Sequence, residues 1–374
     1  MHRVMIILTT IVVIAFTVPI FAQPNWCTSL HFARTGKDYW YKSENGGFEK
    51  LSQVSIDQMY CTACHGPTDA AGNAYTEQNP YPGASCADCH PNSNPVAEKS
   101  INQCLGCHGR QKTERIGLGY TDVHQDSACW FCHRDTDMHG TAEQKLSILE
   151  PGATSVDCDN CHRKTTPSSP WVQAPLPDHS SVDPHQGKLH CTTCHAQSVI
   201  TCYNCHFESQ IVNKKRAKGK LKDFIILVNR DKDNKIYPAT FQSITYQDTT
   251  FVAFAPYYPH TITGQGRTCS DCHGNKYVQD WNNGNGEIKF ATFDQGTQTL
   301  TGKTGVIPLP PDYQTTFRMD YIHYTGDPND ELPGTANWEL IGKDIADLTQ
   351  LLFAKPLTQD QMNSLATVVG DEED

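Results

Sequence analysis

Cys191-Thr192-Thr193-Cys194-His195, then six residues, then Cys202-Tyr203-Asn204-Cys205-His206: within residues 191–206 one pattern occurs twice, two cysteines three apart with a histidine directly after the second. Working outward, the same CxxCH stands at Cys61-Cys64-His65, Cys86-Cys89-His90, Cys104-Cys107-His108, Cys129-Cys132-His133, Cys158-Cys161-His162 and Cys269-Cys272-His273. In this pattern each cysteine forms a thioether with a haem vinyl group while the adjacent imidazole reaches the iron, which is the attachment of a c-type haem. A lone CxxC pair would serve equally as half a zinc site or a thiol redox motif. Histidine supplies only 17 of the 374 residues, so histidine behind all eight pairs is not chance. The sequence predicts eight haem c groups, each with its iron.

The spacing of the motifs predicts the fold class. Seven of them fall between residues 61 and 206, about 21 residues per porphyrin, too few to build a separate protein core around each. Apolar residues make up 38% of the chain, below the ~45–50% of ordinary domains. The expected architecture is a mostly irregular, short α-helical multihaem protein whose haems form the core, with a small β-rich C-terminal module and terminal helices. Intervening lengths of 20, 13, 20, 24, 28, 6 and 62 residues show no tandem period. The six residues between His195 and Cys202 span at most about 25 Å, so haems six and seven must be near neighbours.

Composition divides the chain. Residues 1–22, with Arg3 ahead of the apolar run Val4 to Phe16 and Ala22 at the end, read as a secretory signal peptide; an uncleaved anchor is the alternative and would be the one membrane attachment. Residues 23–220 form a heptahaem region. Residues 221–334 read as a β-rich module carrying the eighth haem: Phe224 to Val228, a polar turn and Ile236-Tyr237 suggest one hairpin, Phe241 to Tyr246 and Phe251 to Phe254 a second strand pair. Residues 335–374 read as C-terminal helices and an acidic tail, with Leu340, Ile341, Ile345, Leu348 and Leu352 on one stripe ended by Pro356, and Thr358 with Gln361 as a capping box opening a second helix.

Charge narrows the partners. The formal net of -11 becomes -12 once the signal segment is removed, before any haem propionate is counted, so nucleic acid is excluded as a partner and basic docking surfaces on redox proteins are favoured. The exception is the basic run Lys214, Lys215, Arg216, Lys218, Lys220 and Lys222, a solvated linker or a docking patch. Seventeen cysteines less the sixteen of the motifs leave Cys27 over, as a free thiol, an intermolecular bond or a lipid anchor.

A haem iron held by one protein imidazole has a sixth position, and what fills it separates carrier from catalyst. Outside the motifs and the signal segment stand His31, His124, His139, His179, His185, His190, His260 and His323, eight for eight haems. They are the distal-ligand candidates. His190 directly precedes Cys191 and suits a haem other than the one attached beside it. Methionine is the rival ligand, with Met138 the one to watch and Met59, Met319 and Met362 reading as packing.

From residue 26 to about 275 the chain resembles octahaem and other large multihaem c-type cytochromes. Leu30-His31-Phe32-Ala33-Arg34-Thr35-Gly36-Lys37, with Tyr39-Trp40-Tyr41, is similar to the segment that opens several extracytoplasmic members, where the histidine is commonly an axial ligand. His260-Thr261-Ile262 through Gly266-Arg267-Thr268 resembles their terminal haem segment. Some octahaem relatives oxidise hydroxylamine or reduce nitrite or tetrathionate. The reductases commonly carry a CxxCK variant, which this chain lacks, and eight distal candidates argue against an open catalytic iron. The expected function is extracytoplasmic electron transfer, in the periplasm or at the cell surface, along eight mainly bis-histidine haems to redox partner proteins or a terminal extracellular acceptor. An octahaem oxidoreductase acting on a small nitrogen or sulfur compound is the second reading. A third is self-assembly of copies into a conductive filament.

Overall fold

Five consecutive apolar residues, Phe224-Ile225-Ile226-Leu227-Val228, leave no polar face for water, and a strand covered on both sides hides them all. The computed structural model describes residues 25–33, 36–56, 86–90, 100–162, 183–206, 221–283, 286–327 and 336–370, and in it those five are at most 3% exposed. The strands among the described residues are β1 (Cys202–His206), β2 (Phe224–Arg230), β3 (Ile236–Tyr246), β4 (Thr249–Pro256), β5 (Ile288–Asp294), β6 (Thr299–Gly302), β7 (Gly305–Pro308), β8 (Phe317–Met319), β9 (Ile322–Tyr324), β10 (Trp338–Leu340), β11 (Leu348–Leu351) and β12 (Ala354–Lys355).

Seven of these strands build one mixed sheet around β3. Antiparallel β4 covers the full length of β3, from Ala239↔Pro256 to Tyr246↔Thr249. Gln247 and Asp248, with φ of +46° and +60°, make the two-residue connection, the left-handed pair that the twist of a tight hairpin requires. In the first half of β3 the other ladder is with antiparallel β2, Ile226↔Ala239. In its second half that ladder is with parallel β1, Cys202↔Gln242 and His206↔Thr245, so the seventh CxxCH lies within the sheet. Parallel β7 and antiparallel β12 flank β2, and parallel β11 flanks β4. Against the sheet, Phe224, Phe241, Phe254, Phe290 and Phe317 interlock, with ring centroids 4.9 Å apart for Phe224 and Phe290, 5.0 Å for Phe241 and Phe290 and 5.4 Å for Phe254 and Phe317. Each such edge-on pair adds about 0.5–1.5 kcal/mol beyond the area it buries.

Two expectations are corrected. The stripe from Leu340 to Leu352 is not helical: its residues lie in β10, a loop and β11. Gly342 at φ +78° breaks the run, and Asp347 pins the chain extended by accepting from the Thr250 amide at 2.9 Å. Leu348 pairs beside β4 and Leu352 is buried, while Leu340 on β10 stands 40% exposed. The sheet also crosses the expected boundaries at 220 and 334, since it takes β1 from one side and β11 and β12 from the other. Past them the helix Gln359–Ala366 carries the capping box, in which the Thr358 hydroxyl accepts from Gln361 N at 3.2 Å and Gln361 Oε1 accepts from Thr358 N at 2.8 Å.

Ahead of the sheet the elements are short helices, among them Leu30–Ala33, Gly36–Tyr41, Ile101–Cys107 and Asp135–His139. Among the described residues before Cys191, few apolar side chains are buried: Tyr41, Phe48, Ile56, Leu105 and Leu149. Ile116, Val123, Trp130, Leu146, Ile148 and Val156 stand exposed, Ile116 by 65%. Among the described residues no helix is long and apolar enough to cross a membrane.

Candidate haem centres

A porphyrin held by two cysteines and a histidine needs all three side chains on one side of the backbone. Residues i, i+3 and i+4 of a helical turn meet that need. Six described motifs form such a turn: Cys86–Cys89, Ile101–Cys107, Cys129–Cys132, Asp159–His162, Cys191–His195 and Cys269–Cys272. In the fourth and fifth motifs the histidine amide donates to the first cysteine's carbonyl at 3.0 Å, His133 to Cys129 and His162 to Cys158. The backbone of the seventh motif is extended instead, with a register shift between Cys202 and Cys205. The first motif, at Cys61-Cys64-His65, lies outside the described residues.

Five motif histidines each face one of the distal candidates. Ring centroids are 6.2 Å apart for His90 and His139, 6.0 Å for His31 and His108, 6.4 Å for His133 and His260, 6.3 Å for His124 and His162, and 6.1 Å for His185 and His273. An imidazole nitrogen stands about 2 Å from a metal and about 1.1 Å from its own ring centre, so two rings capping one iron have centroids about 6.2 Å apart. All five spacings fit that figure. The ring planes fall into two groups: 16°, 21° and 19° for the pairs of His90, His133 and His273, and 60° and 85° for those of His108 and His162.

The attachment cysteines of successive motifs also come together. Contact with Cys129 and burial raise the Cys104 thiol, and Cys89 adds to the effect from the motif before. Burial, then Cys161, raises Cys132. Contact with Cys191 and burial raise Cys158. Burial, then Cys194, pushes Cys272 up to about 12. The second, third, fourth, fifth, sixth and eighth motifs therefore follow one another in space. Among the described residues no three or more His, Cys, Asp or Glu side chains converge as an ion site would require. The exposed apolar side chains from Ile116 to Val156 line this same stretch, which suits flat apolar rings laid over them.

Residues 47–109, which hold the first three motifs, match the family model for cytochrome c7 and related cytochrome c. The match supports a multihaem cytochrome c. Its cofactor is haem c, with iron. No curated protein matches the chain, and no solved structure does.

Two distal candidates are placed otherwise among the described residues. His190 stacks on Tyr237 with centroids 4.2 Å apart, and its Nδ1 accepts from the Thr192 amide at 3.3 Å, capping the helix Cys191–His195. Burial pulls His190 down to about 4, so the ring stays neutral. His323 lies on β9, between Asp248 at 3.5 Å from Nδ1 and Glu339 at 3.9 Å from Nε2, in a cleft of about 230 Å³. His179 falls outside the described residues, as do Lys214, Lys215, Arg216, Lys218 and Lys220 of the basic run. Lys222 sits over the Tyr120 ring at 5.7 Å. Met319 and Met362 are core residues, and Met138 precedes the ring-paired His139.

The surroundings of the histidines add residues that the spacing of motifs does not reveal. The proximal His195 and His273 place Nδ1 3.0 Å from the carbonyls of Thr263 and Ser364. Asp137 stands 3.7 Å from Nδ1 of His133. Glu114, wholly buried in a π-helical turn, accepts from the His260 amide at 3.1 Å and stands 3.8 Å from its Nδ1. Burial pushes Glu114 up to about 7, and burial, then His133, brings His260 down to about 4. An acidic residue two positions before a histidine, as in Asp122-Val123-His124 and Asp183-Pro184-His185, is the sequence signal for two more such contacts.

Proposed function

We propose that this cytochrome is an extracytoplasmic electron carrier with eight covalently bound haems c, most of them held between two histidines, and that it breaks no substrate bond. The observation that carries the reading is the set of five proximal and distal imidazole pairs with centroids 6.0 to 6.4 Å apart. On this reading His139 serves the second haem, His31 the third, His260 the fourth, His124 the fifth and His185 the eighth. Haem supplies the one-electron chemistry. The chain's part is to fix each ring by its cysteines, to fill the sixth position so that small reagents are kept off the iron, and to hold neighbours close enough for tunnelling.

The contact of Cys104 with Cys129 and of Cys158 with Cys191 supports the last of these roles, since thiols in contact bring the attached edges of consecutive rings together. His190, stacked on Tyr237, has the structural task of capping the sixth motif. The test is mass analysis of the purified cytochrome together with low-temperature EPR. Eight attached haems with essentially all iron low-spin is the expected result. Fewer haems, or a high-spin iron that turns over a small nitrogen or sulfur compound, would overturn the reading.

A further inference from the structure

Four of the five paired distal histidines have a carboxylate against Nδ1. Asp135 Oδ1 lies 2.5 Å from Nδ1 of His139, Asp122 Oδ1 3.3 Å from that of His124, Asp183 Oδ1 3.5 Å from that of His185, and Glu114 Oε2 3.8 Å from that of His260. Two of these contacts are not incidental to side-chain mobility, because Asp122 and Asp183 are fixed to the backbone. Asp122 accepts from the His124 amide at 2.7 Å and, with its other oxygen, from the Ile262 amide at 3.2 Å. Asp183 repeats the arrangement, accepting from the His185 amide at 2.8 Å and from Gly187 at 2.7 Å. Among the proximal histidines, His195 and His273 meet neutral carbonyls, while His133 has Asp137 3.7 Å from its Nδ1.

A carboxylate that takes the Nδ1 proton of an imidazole fixes the tautomer with Nε2 free for metal, stops the ring rotating and makes it a stronger donor. A stronger donor, with a fixed negative charge behind it, favours the ferric over the ferrous state. We propose that Asp122 and Asp183, with Asp135 in the same place on His139, are positioning residues that aim the distal imidazoles and set their haems at low potential. The proposal rests on the ligand pairing given above.

Asp122→Asn removes the charge and keeps one oxygen, for the His124 amide, while the acceptor that faces the Ile262 amide is lost. In the haem-loaded protein it is expected to shift the oxidised-to-reduced ratio of one haem about tenfold at fixed poise, about 59 mV upward for one electron, with the haem count unchanged and the iron low-spin. Asp122→Glu should restore most of the shift, and Asp183→Asn gives an independent second case on another haem. Potentiometric titrations of both Asn variants that overlay the parent, with low-spin iron retained, overturn the proposal and leave the pairing standing. If His124→Ala yields no five-coordinate iron, the pairing itself fails and the proposal with it.

Discussion

Replacing His124 by alanine tests the ring pairing at one identifiable centre. The planes of His124 and His162 cross at 85° and those of His31 and His108 at 60°, while the other three described pairs lie between 16° and 21°. In low-spin ferric iron, parallel imidazole planes split the two d orbitals that overlap the ligand π systems, which gives a rhombic EPR spectrum. Crossed planes leave those orbitals nearly degenerate and give a strongly anisotropic spectrum with one large g value. The parent should therefore show both classes of signal, and two of the five described pairs belong to the crossed one. His124→Ala removes one of those two, so the crossed signal from these centres should fall by about half, with one iron appearing as high-spin. His185→Ala should take its loss from the rhombic class instead. Spin-quantified spectra at low temperature, on protein with an unchanged haem count, supply the measurement. A loss from the rhombic class in His124→Ala, or no high-spin iron at all, would refute the assignment of His124 opposite His162.

Three further outcomes follow from the packing. Replacing both Cys158 and Cys161 by alanine removes the thioether positions of the fifth motif, so the mass of the protein should fall by one haem; an unchanged mass would sink the attachment reading there. Phe241→Ala empties a fully buried site among Phe224, Phe254 and Phe290, at a cost of about 3–5 kcal/mol to be read by denaturant unfolding of the loaded protein; a cost under about 1 kcal/mol would mean that these rings are not the core. Thr358→Ala deletes the cap of the helix Gln359–Ala366 at a cost of about 1 kcal/mol. The Ser364 carbonyl of that helix meets Nδ1 of His273, so the same variant should also alter the eighth haem's spectrum, while Gln359→Ala, outside the cap, should not.

How much of this was legible beforehand depends on how local the signal is. CxxCH is five residues long and announces its chemistry without any fold, so the haem-bearing positions could be read directly. The distal histidines could be named as candidates, but not paired, because His31 meets His108 and His133 meets His260 across intervals with no sequence period. The runs Phe224 to Val228 and Phe251 to Phe254 are apolar enough to mark strands in isolation. The stripe from Leu340 to Leu352 misled because its apolar spacing satisfies a helix and a buried strand alike. Asp347, Gly342 and the partner strand β4 decided between them, and only Gly342 carries a hint of that in the sequence. The carboxylates behind the imidazoles differ in kind: Asp122 and Asp183 are only two residues from their histidines, but an acidic residue at that spacing has no motif of its own to mark it.

The row of attachment thiols has a consequence for current. Cys89, Cys104, Cys129, Cys132, Cys161, Cys158, Cys191, Cys194 and Cys272 belong to six different motifs, and each step joins one motif to the next in sequence, apart from the seventh. Haems attached along that file would exchange electrons chiefly between neighbouring motifs, so the slowest junction in the file would set the throughput between its two ends.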